Sequence, residues 1–221
     1  FFATSDGQAV LANVAGAKVG SEGRPLPGGG EVELGAYDPD LDLILEDDRG
    51  FVRVAGRDEM GLLLARPWGP IDPTAAIKRG MFAPGDIWIS TEYVFWRDSD
   101  GDFWLLGNRS GLRSTTRGAV FPAPLTVSIR AIAPADLAVT YPLQVPGGTL
   151  AVTALTLRPG MNVTVADLSE AVSGMPAGLP PDLVHVVDDL PLSASYRPTV
   201  SALKAAGLPK VGRNTWYLDG D

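Results

Sequence analysis

Short apolar runs separated by glycine, proline and acidic turns dominate the first half of the chain and predict strands. Residues 88–94 and 103–106 are rich in β-branched and aromatic side chains, and the acidic segment 98–102 between them is typical of a hairpin turn. Further strands are predicted over residues 31–34, 41–45 and 51–54. A short helix is predicted over residues 73–79.

The pattern changes to mixed helix and strand after residue 118. Helices are predicted over residues 122–132, 164–175 and 200–206, and strands over 137–145, 149–157 and 183–187. Thr164 is placed to cap the second helix, and Gly207 to end the third. The chain is therefore predicted to be α+β, with a distorted β-barrel-like subdomain over residues 1–109 and a small α/β domain over residues 110–221.

The amino-acid composition of the chain argues against several classes of function. The 221 residues carry a formal net charge of −8 and contain no basic run longer than the pair Lys78-Arg79, which argues against a nucleic-acid partner. Without cysteine, disulfides, thiolate metal sites and a cysteine nucleophile are excluded. The single histidine, His185, lies in an apolar segment and is predicted to be a core or edge residue.

The acidic turn Asp98-Ser99-Asp100-Gly101-Asp102 could be read as a calcium loop of the EF-hand type. That interpretation fails, because Arg109 rather than glutamate stands at the twelfth position and no helices flank the loop. A surface hairpin with no bound ligand also accounts for this stretch when it is considered alone.

The order of motifs around this hairpin resembles the adenylate-forming acyl-CoA synthetases, especially their fatty acid transport protein branch. Thr91 stands at the family's motif threonine, Asp98 and Gly101 in its turn, and Arg109 at its hinge arginine. Near the start, residues 1–8 resemble the family's Y-G-A-T-E motif, and residues 216–219 resemble its aromatic-Tyr-Leu-Asp ending. The resemblance extends, in order, over essentially the whole chain.

The resemblance implies roles for six residues. Ser5 takes the position of a threonine that contacts phosphate, and Asp6 that of a glutamate that holds magnesium. Thr91, Tyr93 and Arg109 fall at nucleotide-binding positions, although Tyr93 replaces an aspartate that binds the ribose hydroxyls. Arg197 replaces the catalytic lysine, and its planar guanidinium does not simply substitute for a compact ammonium.

The same resemblance implies the C-terminal part of a divergent, ATP-dependent fatty acyl-CoA synthetase, with residues 110–221 as its mobile lid. The expected cofactors and partners are ATP, Mg²⁺, CoA, a fatty acid and an N-terminal adenylation region of the same protein. A cytoplasmic location is implied, with peripheral membrane association as an additional expectation. Because the family's phosphate loop belongs upstream of Phe1, the chain alone is not expected to catalyse the reaction.

Two other interpretations stay open at this point. A relative that has lost adenylation would act as a scaffold or acyl-adenylate binder, since the ribose and lysine positions are both changed. An unrelated β-rich binding module would fit the first half of the chain, although the α/β pattern after Gly118 argues against it.

Overall fold

The structure is a computed structural model that describes residues 1–16, 18, 20–57, 59–173, 180–194 and 198–217. The chain divides into two compact units, unit 1 (Phe1–Ser110) and unit 2 (Gly111–Asp221). Both contain sheets, and the described helices are few and short, so the predicted α+β class is confirmed.

Unit 1 is built almost entirely of strands. In its described residues these are β1 (Phe2–Ala3), β2 (Val10–Ala12), β3 (Arg24–Pro25), β4 (Val32–Asp38), β5 (Leu43–Ile44), β6 (Met60–Ala65), β7 (Ala76–Arg79), β8 (Ile87–Arg97) and β9 (Phe103–Asn108). Strands β1 to β3 form a small sheet, and the larger sheet has the order β5-β4-β6-β8-β7 with β9 also paired to β8. Within the described residues the sheets do not close into a barrel.

Aromatic side chains join the two sheets of unit 1. Phe2 of β1 packs edge-to-face on Phe95 of β8, with ring centroids 5.0 Å apart, and Phe95 in turn meets Phe103 of β9 at 6.3 Å. Leu34 and Leu63 complete the same fully buried cluster. Burial of these side chains is the main favourable contribution to the fold of this unit, and it fixes β1 and the turn that follows it against β8.

The helix predicted over residues 73–79 is wrong, because residues 73–75 form a turn and Ala76–Arg79 form strand β7. Its backbone pairs with β8 in antiparallel register, from Ala76 opposite Ser90 to Arg79 opposite Ile87. All four β7 side chains are exposed. The segment therefore has no buried face whose spacing would distinguish a strand from a helix. Pairing with a distant strand therefore decides the conformation.

The acidic hairpin turn holds an internal cation, the ammonium group of Lys18. The Lys18 ammonium lies 2.7 Å from Asp98, 2.6 Å from Asp100 and 3.2 Å from Asp102. Burial by itself would raise the pKa of Asp98, but hydrogen bonds from Lys18, Trp104 and two backbone N–H groups lower it to about 2. Lys18 thereby links the β2–β3 region to the hairpin.

This cluster predicts acid sensitivity of unit 1. A carboxyl with an unfolded pKa of 3.8 and a folded pKa of about 2 stabilises the fold fully above about pH 4, and this contribution is lost as the pH falls to about 2. Because the cluster lies at the surface, where Asp100 is exposed and salt and solvent screen the charges, we expect a difference of at most ~1 kcal/mol in the free energy of unfolding. Urea unfolding at pH 5 and pH 2.5 measures it, and Asp98→Asn should reduce the pH dependence; an undiminished dependence in that variant would contradict the assignment.

Unit 2 combines a four-stranded sheet with three helices in its described residues. Its elements are a 3-10 turn that starts in unit 1 (Arg109–Gly111), β10 (Arg113–Thr115), β11 (Gly118–Val120), α1 (Pro122–Ala131), β12 (Ala135–Val145), β13 (Gly148–Leu157), α2 (Val165–Ser173), β14 (Leu183–Val186), α3 (Ser201–Ala206) and β15 (Thr215–Tyr217). The sheet order is β12-β13-β14-β15, and β10 pairs only with β11. Thr164 and Asp167 form reciprocal hydrogen bonds at the start of α2, as a capping box does.

The two faces of this sheet have separate apolar clusters. Helices α1 and α2 place Ile129 and Leu168 on one face, while Tyr141 and Leu183 lie on the other with Leu203 of α3 beside them. His185 is buried on the second face, where its Nε2 lies 3.3 Å from the Tyr141 hydroxyl, and burial lowers the pKa of the imidazole. No helix in the described part of the chain is long and apolar enough to cross a membrane.

Candidate functional site

A bulge in β8 brings the motif residues of the hairpin region to one surface. Leu62 pairs with Val94 and Leu64 with Ser90, so three β8 residues, 91–93, lie opposite the single residue Leu63. The Thr91 hydroxyl donates to the Leu63 carbonyl at 2.8 Å and so satisfies a backbone acceptor that the interrupted ladder leaves. Bulges of this kind redirect side chains and are frequent beside functional sites.

The bulge forms one wall of a cleft of about 500 Å³ in unit 1. Four residues that the sequence marked as candidates line it together: Ser5, Asp6, Thr91 and Tyr93. Glu92 lines it as well, and Asp72 and Thr74 contribute to the lining from the segment before β7. Carboxylates, hydroxyls and an aromatic ring therefore converge on one concave surface.

Ser5 and Asp6 lie at the tip of the turn between β1 and β2. The turn is closed by its own backbone, with Gly7 N–H donating to the Thr4 carbonyl at 3.0 Å, and by Gln8 N–H donating to Asp6 Oδ1 at 3.1 Å. Both Ser5 and Asp6 are exposed, because the turn holds them outside the core. Their hydroxyl and carboxylate are available to a ligand in the cleft.

Asp6 fits a magnesium ion only as one of several ligands. The described residues contain no group of three or more acidic, histidine or cysteine side chains that could hold a metal. Magnesium in nucleotide sites commonly takes one or two protein carboxylates, with water and phosphate oxygens completing its coordination. A single exposed carboxylate is consistent with that donor set.

Tyr93 is held by the aromatic cluster below the cleft. Its ring packs edge-to-face on Phe2 with centroids 5.0 Å apart, and it borders the apolar cluster of unit 1. Tyr93 occupies the position that resembles the family's ribose-binding aspartate, so the carboxylate expected there is missing. The adjacent Glu92 is an acidic residue that also lines this cleft.

Arg109 approaches Glu92 from the end of β9. Its Nη1 lies 3.2 Å from Glu92 Oε2, and its Nε donates to Asp42 Oδ1 at 2.9 Å. Ser90 donates to the second carboxylate oxygen of Glu92 at 2.7 Å. Arg109 is therefore placed beside the cleft-lining carboxylate.

Asp42 and Tyr37 complete the surroundings of Arg109. The guanidinium lies 5.8 Å from the centroid of the Tyr37 ring, and the Tyr37 hydroxyl donates to Asp42. Hydrogen bonds from Arg109, and then from Tyr37, lower the pKa of the Asp42 carboxyl, while burial and the Asp42 hydrogen bond raise the pKa of Tyr37 to about 12. Asp42 is thus an anion and Tyr37 a neutral donor at neutral pH.

Sequence reasoning placed some of these residues and missed others. It found no role for Asp42 or Tyr37, since the contact between Asp42 and Arg109 spans 67 positions and has no local signature. It also missed Asp72 and Thr74, whose side chains bond to each other at 2.6 Å in the turn before β7. Arg197 lies outside the described residues, so its position relative to the other candidates stays a prediction.

Comparison with known proteins identifies similar folds among solved structures but finds no match by sequence. No sequence-family model matches the chain, and no curated protein does. Solved structures do match: apo MatB from Rhodopseudomonas palustris has a TM-score of 0.67 at 18% identity, covering 93% of this chain and 39% of that one.

Two further matches were solved with adenylates. The o-succinylbenzoate CoA synthetase MenE from Bacillus subtilis, in complex with its acyl-adenylate intermediate, has a TM-score of 0.53 at 20% identity, covering 88% of this chain and 38% of its own. The anthranilate CoA ligase AuaEII, in complex with anthranoyl-AMP, has a TM-score of 0.52 at 19% identity, covering 86% and 35%. The chain therefore has the fold of the C-terminal part of adenylate-forming enzymes and spans under two-fifths of their length. This mixed α+β fold differs from the β-rich fold that the binding-module interpretation assumes.

Proposed function

We propose that the chain is the C-terminal part of a divergent fatty acyl-CoA synthetase, which activates a fatty acid as its acyl-adenylate and then forms the CoA thioester. The observation that carries the proposal is the cleft of unit 1, where Ser5, Asp6, Thr91 and Tyr93 come together. The resemblance connects all four with one nucleotide, although the first two are more than eighty positions from the others. Their convergence supports a shared ligand.

Within this proposal each cleft residue has a defined task. The Ser5 hydroxyl contacts a phosphate oxygen, and Asp6 supplies one carboxylate ligand to Mg²⁺, which would neutralise phosphate charge. Glu92, rather than Tyr93, accepts hydrogen bonds from the ribose hydroxyls, because Glu92 is the acidic residue among the bulge residues that line the cleft. Arg109 partly neutralises the charge of Glu92 through the ion pair between them.

The remaining machinery belongs to a longer polypeptide. Since the chain covers 39% of apo MatB, the phosphate loop and the tunnel for the fatty acid are proposed to lie in a further segment, and unit 2 is proposed to act as the mobile lid. The complete polypeptide that contains these residues is therefore the proper material for assays of activity.

A panel of acids tests the proposed substrate class. The complete polypeptide is incubated with ATP, Mg²⁺ and CoA and with acetate, malonate, benzoate or saturated fatty acids of increasing length, and acyl-CoA and AMP are quantified by mass spectrometry. The proposal expects thioester formation with fatty acids and much less with the short or aromatic acids. Turnover restricted to malonate or an aromatic acid would keep adenylation but reject the fatty-acyl assignment.

Arg197 provides a separate prediction that follows from the sequence. If it takes the role of the family's lysine, Arg197→Lys keeps or raises the rate of acyl-adenylate formation, because the point-like ammonium is restored. Arg197→Ala lowers that rate at least ~10-fold, which corresponds to about 1.4 kcal/mol of barrier. Rapid-quench measurement of acyl-AMP checks both, and unchanged rates in the two variants would leave Arg197 without a catalytic role.

A second candidate function is a non-catalytic relative that binds an acyl-adenylate or acts as a scaffold. The observation that favours it is Tyr93, which replaces the ribose-binding aspartate and packs on Phe2. Such a protein would bind AMP or an acyl-AMP analogue in calorimetry without exchanging pyrophosphate into ATP. Binding together with acid-dependent exchange would exclude it.

A further inference from the structure

Two residues of the described chain combine a side chain with a left-handed backbone. Among the described non-glycine residues, positive φ angles occur only at Asp42, with 54°, and Glu92, with 61°. The two belong to different parts of unit 1, the turn between β4 and β5 and the bulge of β8. Both nevertheless contact one guanidinium, that of Arg109.

A gain in the stability of the fold does not explain why the two residues with positive φ angles both contact Arg109. A left-handed backbone is unfavourable for residues that have a Cβ, although aspartate tolerates it better than most. The ion pairs give little in return, because the side chain of Asp42 is 56% exposed and that of Glu92 is 44% exposed, so solvent and salt screen both. Strain that contacts do not offset is characteristic of functional sites.

Asp42 and Glu92 bind different edges of the Arg109 guanidinium. Nε donates to Asp42 Oδ1 at 2.9 Å and Nη2 donates to the Asp42 carbonyl at 3.2 Å, so Asp42 holds one edge through both its side chain and its backbone. The guanidinium carbon of Arg109 lies over the Tyr37 ring, 5.8 Å from its centroid. Nη1 is left to meet Glu92 at 3.2 Å.

We propose that Asp42 is a positioning residue that acts through Arg109 to hold the Glu92 carboxylate toward the cleft of unit 1. The inference rests on the proposed function, because it takes a nucleotide as the ligand that Glu92 meets. Asp42 does not line the cleft itself. With its left-handed backbone, Asp42 accepts hydrogen bonds from Arg109 through both its carboxylate and its carbonyl.

Replacement by glycine separates positioning from stability. Asp42→Gly relieves the strained φ angle but removes the carboxylate, so unit 1 should melt at about the same temperature as the wild type or slightly higher. The complete polypeptide should then bind AMP about 10-fold more weakly in calorimetry, and its KM for ATP should rise about 10-fold while the KM for the acid stays unchanged. Asparagine also tolerates a left-handed backbone and keeps an oxygen that can accept from Arg109. Asp42→Asn should therefore recover part of the affinity for AMP.

Glu31 offers a matched control in the same unit. It pairs with Arg66 at 2.7 Å with its side chain 57% exposed, and Arg66 lies 5.6 Å from the Trp88 ring, as Arg109 lies beside Tyr37. Glu31→Gln breaks this pair outside the cleft and should leave AMP affinity and the KM for ATP unchanged.

The outcomes separate the two claims. Wild-type binding of AMP with no loss in Asp42→Gly would overturn the positioning role and leave the proposed function intact. An equal loss in Asp42→Gly and Glu31→Gln would also overturn it, since any exposed ion pair would then have the same effect. Absence of both AMP binding and pyrophosphate exchange in the wild type would overturn the proposed function and this inference with it.

Discussion

Glu92→Gln is expected to lower acid-dependent ATP–pyrophosphate exchange by the complete polypeptide by about 10- to 100-fold. The substitution keeps the size of the side chain and removes the negative charge of the bulge residue that lines the cleft. A hydrogen bond to a charged group contributes about 1.5–3 kcal/mol, which sets the expected range. Steady-state exchange at saturating acid and varied ATP measures the effect.

Two other substitutions assign the effect to the right group. Tyr93→Phe removes only a hydroxyl and should leave exchange close to the wild-type rate, because Tyr93 serves mainly through its packing on Phe2. Glu33→Gln removes a carboxylate that pairs with Arg97 at 3.1 Å, away from the cleft, and should also be nearly silent. Full activity in Glu92→Gln with a loss in Tyr93→Phe would transfer the ribose contact to the Tyr93 hydroxyl.

Gly23→Ala is expected to destabilise unit 1 by more than ~4 kcal/mol, an effect in the range reserved for severe steric or cavity defects. A Cβ at this position would lie 2.1 Å from the carbonyl oxygen of Ala12, and the backbone there has a φ angle of +81°. Ala12 cannot withdraw, because it pairs with Arg24 in the small sheet while Phe103 N–H donates to the Gly23 carbonyl at 2.7 Å. Both the small sheet and its junction with β9 are therefore affected.

Gly50→Ala is the matched control for this prediction. Gly50 has a similar φ angle of +78° but no atom within 4 Å of the added Cβ, so it measures the backbone strain alone, about 1–2 kcal/mol. Urea unfolding followed by tryptophan fluorescence reports mainly on unit 1, which contains Trp68, Trp88, Trp96 and Trp104. Equal losses in the two variants would show that the close approach to Ala12 is unimportant.

Regular elements of the fold were largely predictable because their patterns are local. The hairpin of β8 and β9 follows from its aromatic and β-branched strands and its acidic turn, and α1 follows from the spacing of Leu125 and Ile129. Strand β7 was not predictable, since its side chains are all exposed and its conformation comes from pairing with β8. The burial pattern that sequence methods read is absent there.

The candidate site divides in the same way. Motif order suggested Ser5, Asp6, Thr91 and Tyr93, and these residues share the cleft. It did not suggest that Glu92 would line the cleft, because the placement of that residue depends on the bulge opposite Leu63 and on a positive φ angle. Asp42 was beyond prediction for a related reason, since only the folded chain brings it to Arg109.

Incorporation of labelled pyrophosphate into ATP by the complete polypeptide, in the presence and absence of a fatty acid, tests the central claim most directly. If the cleft of unit 1 holds the nucleotide of an adenylate-forming enzyme, exchange depends on the acid, and Glu92→Gln lowers it while Glu31→Gln does not. Exchange that is absent with every acid, or that is equally fast in wild type and Glu92→Gln, would contradict the claim.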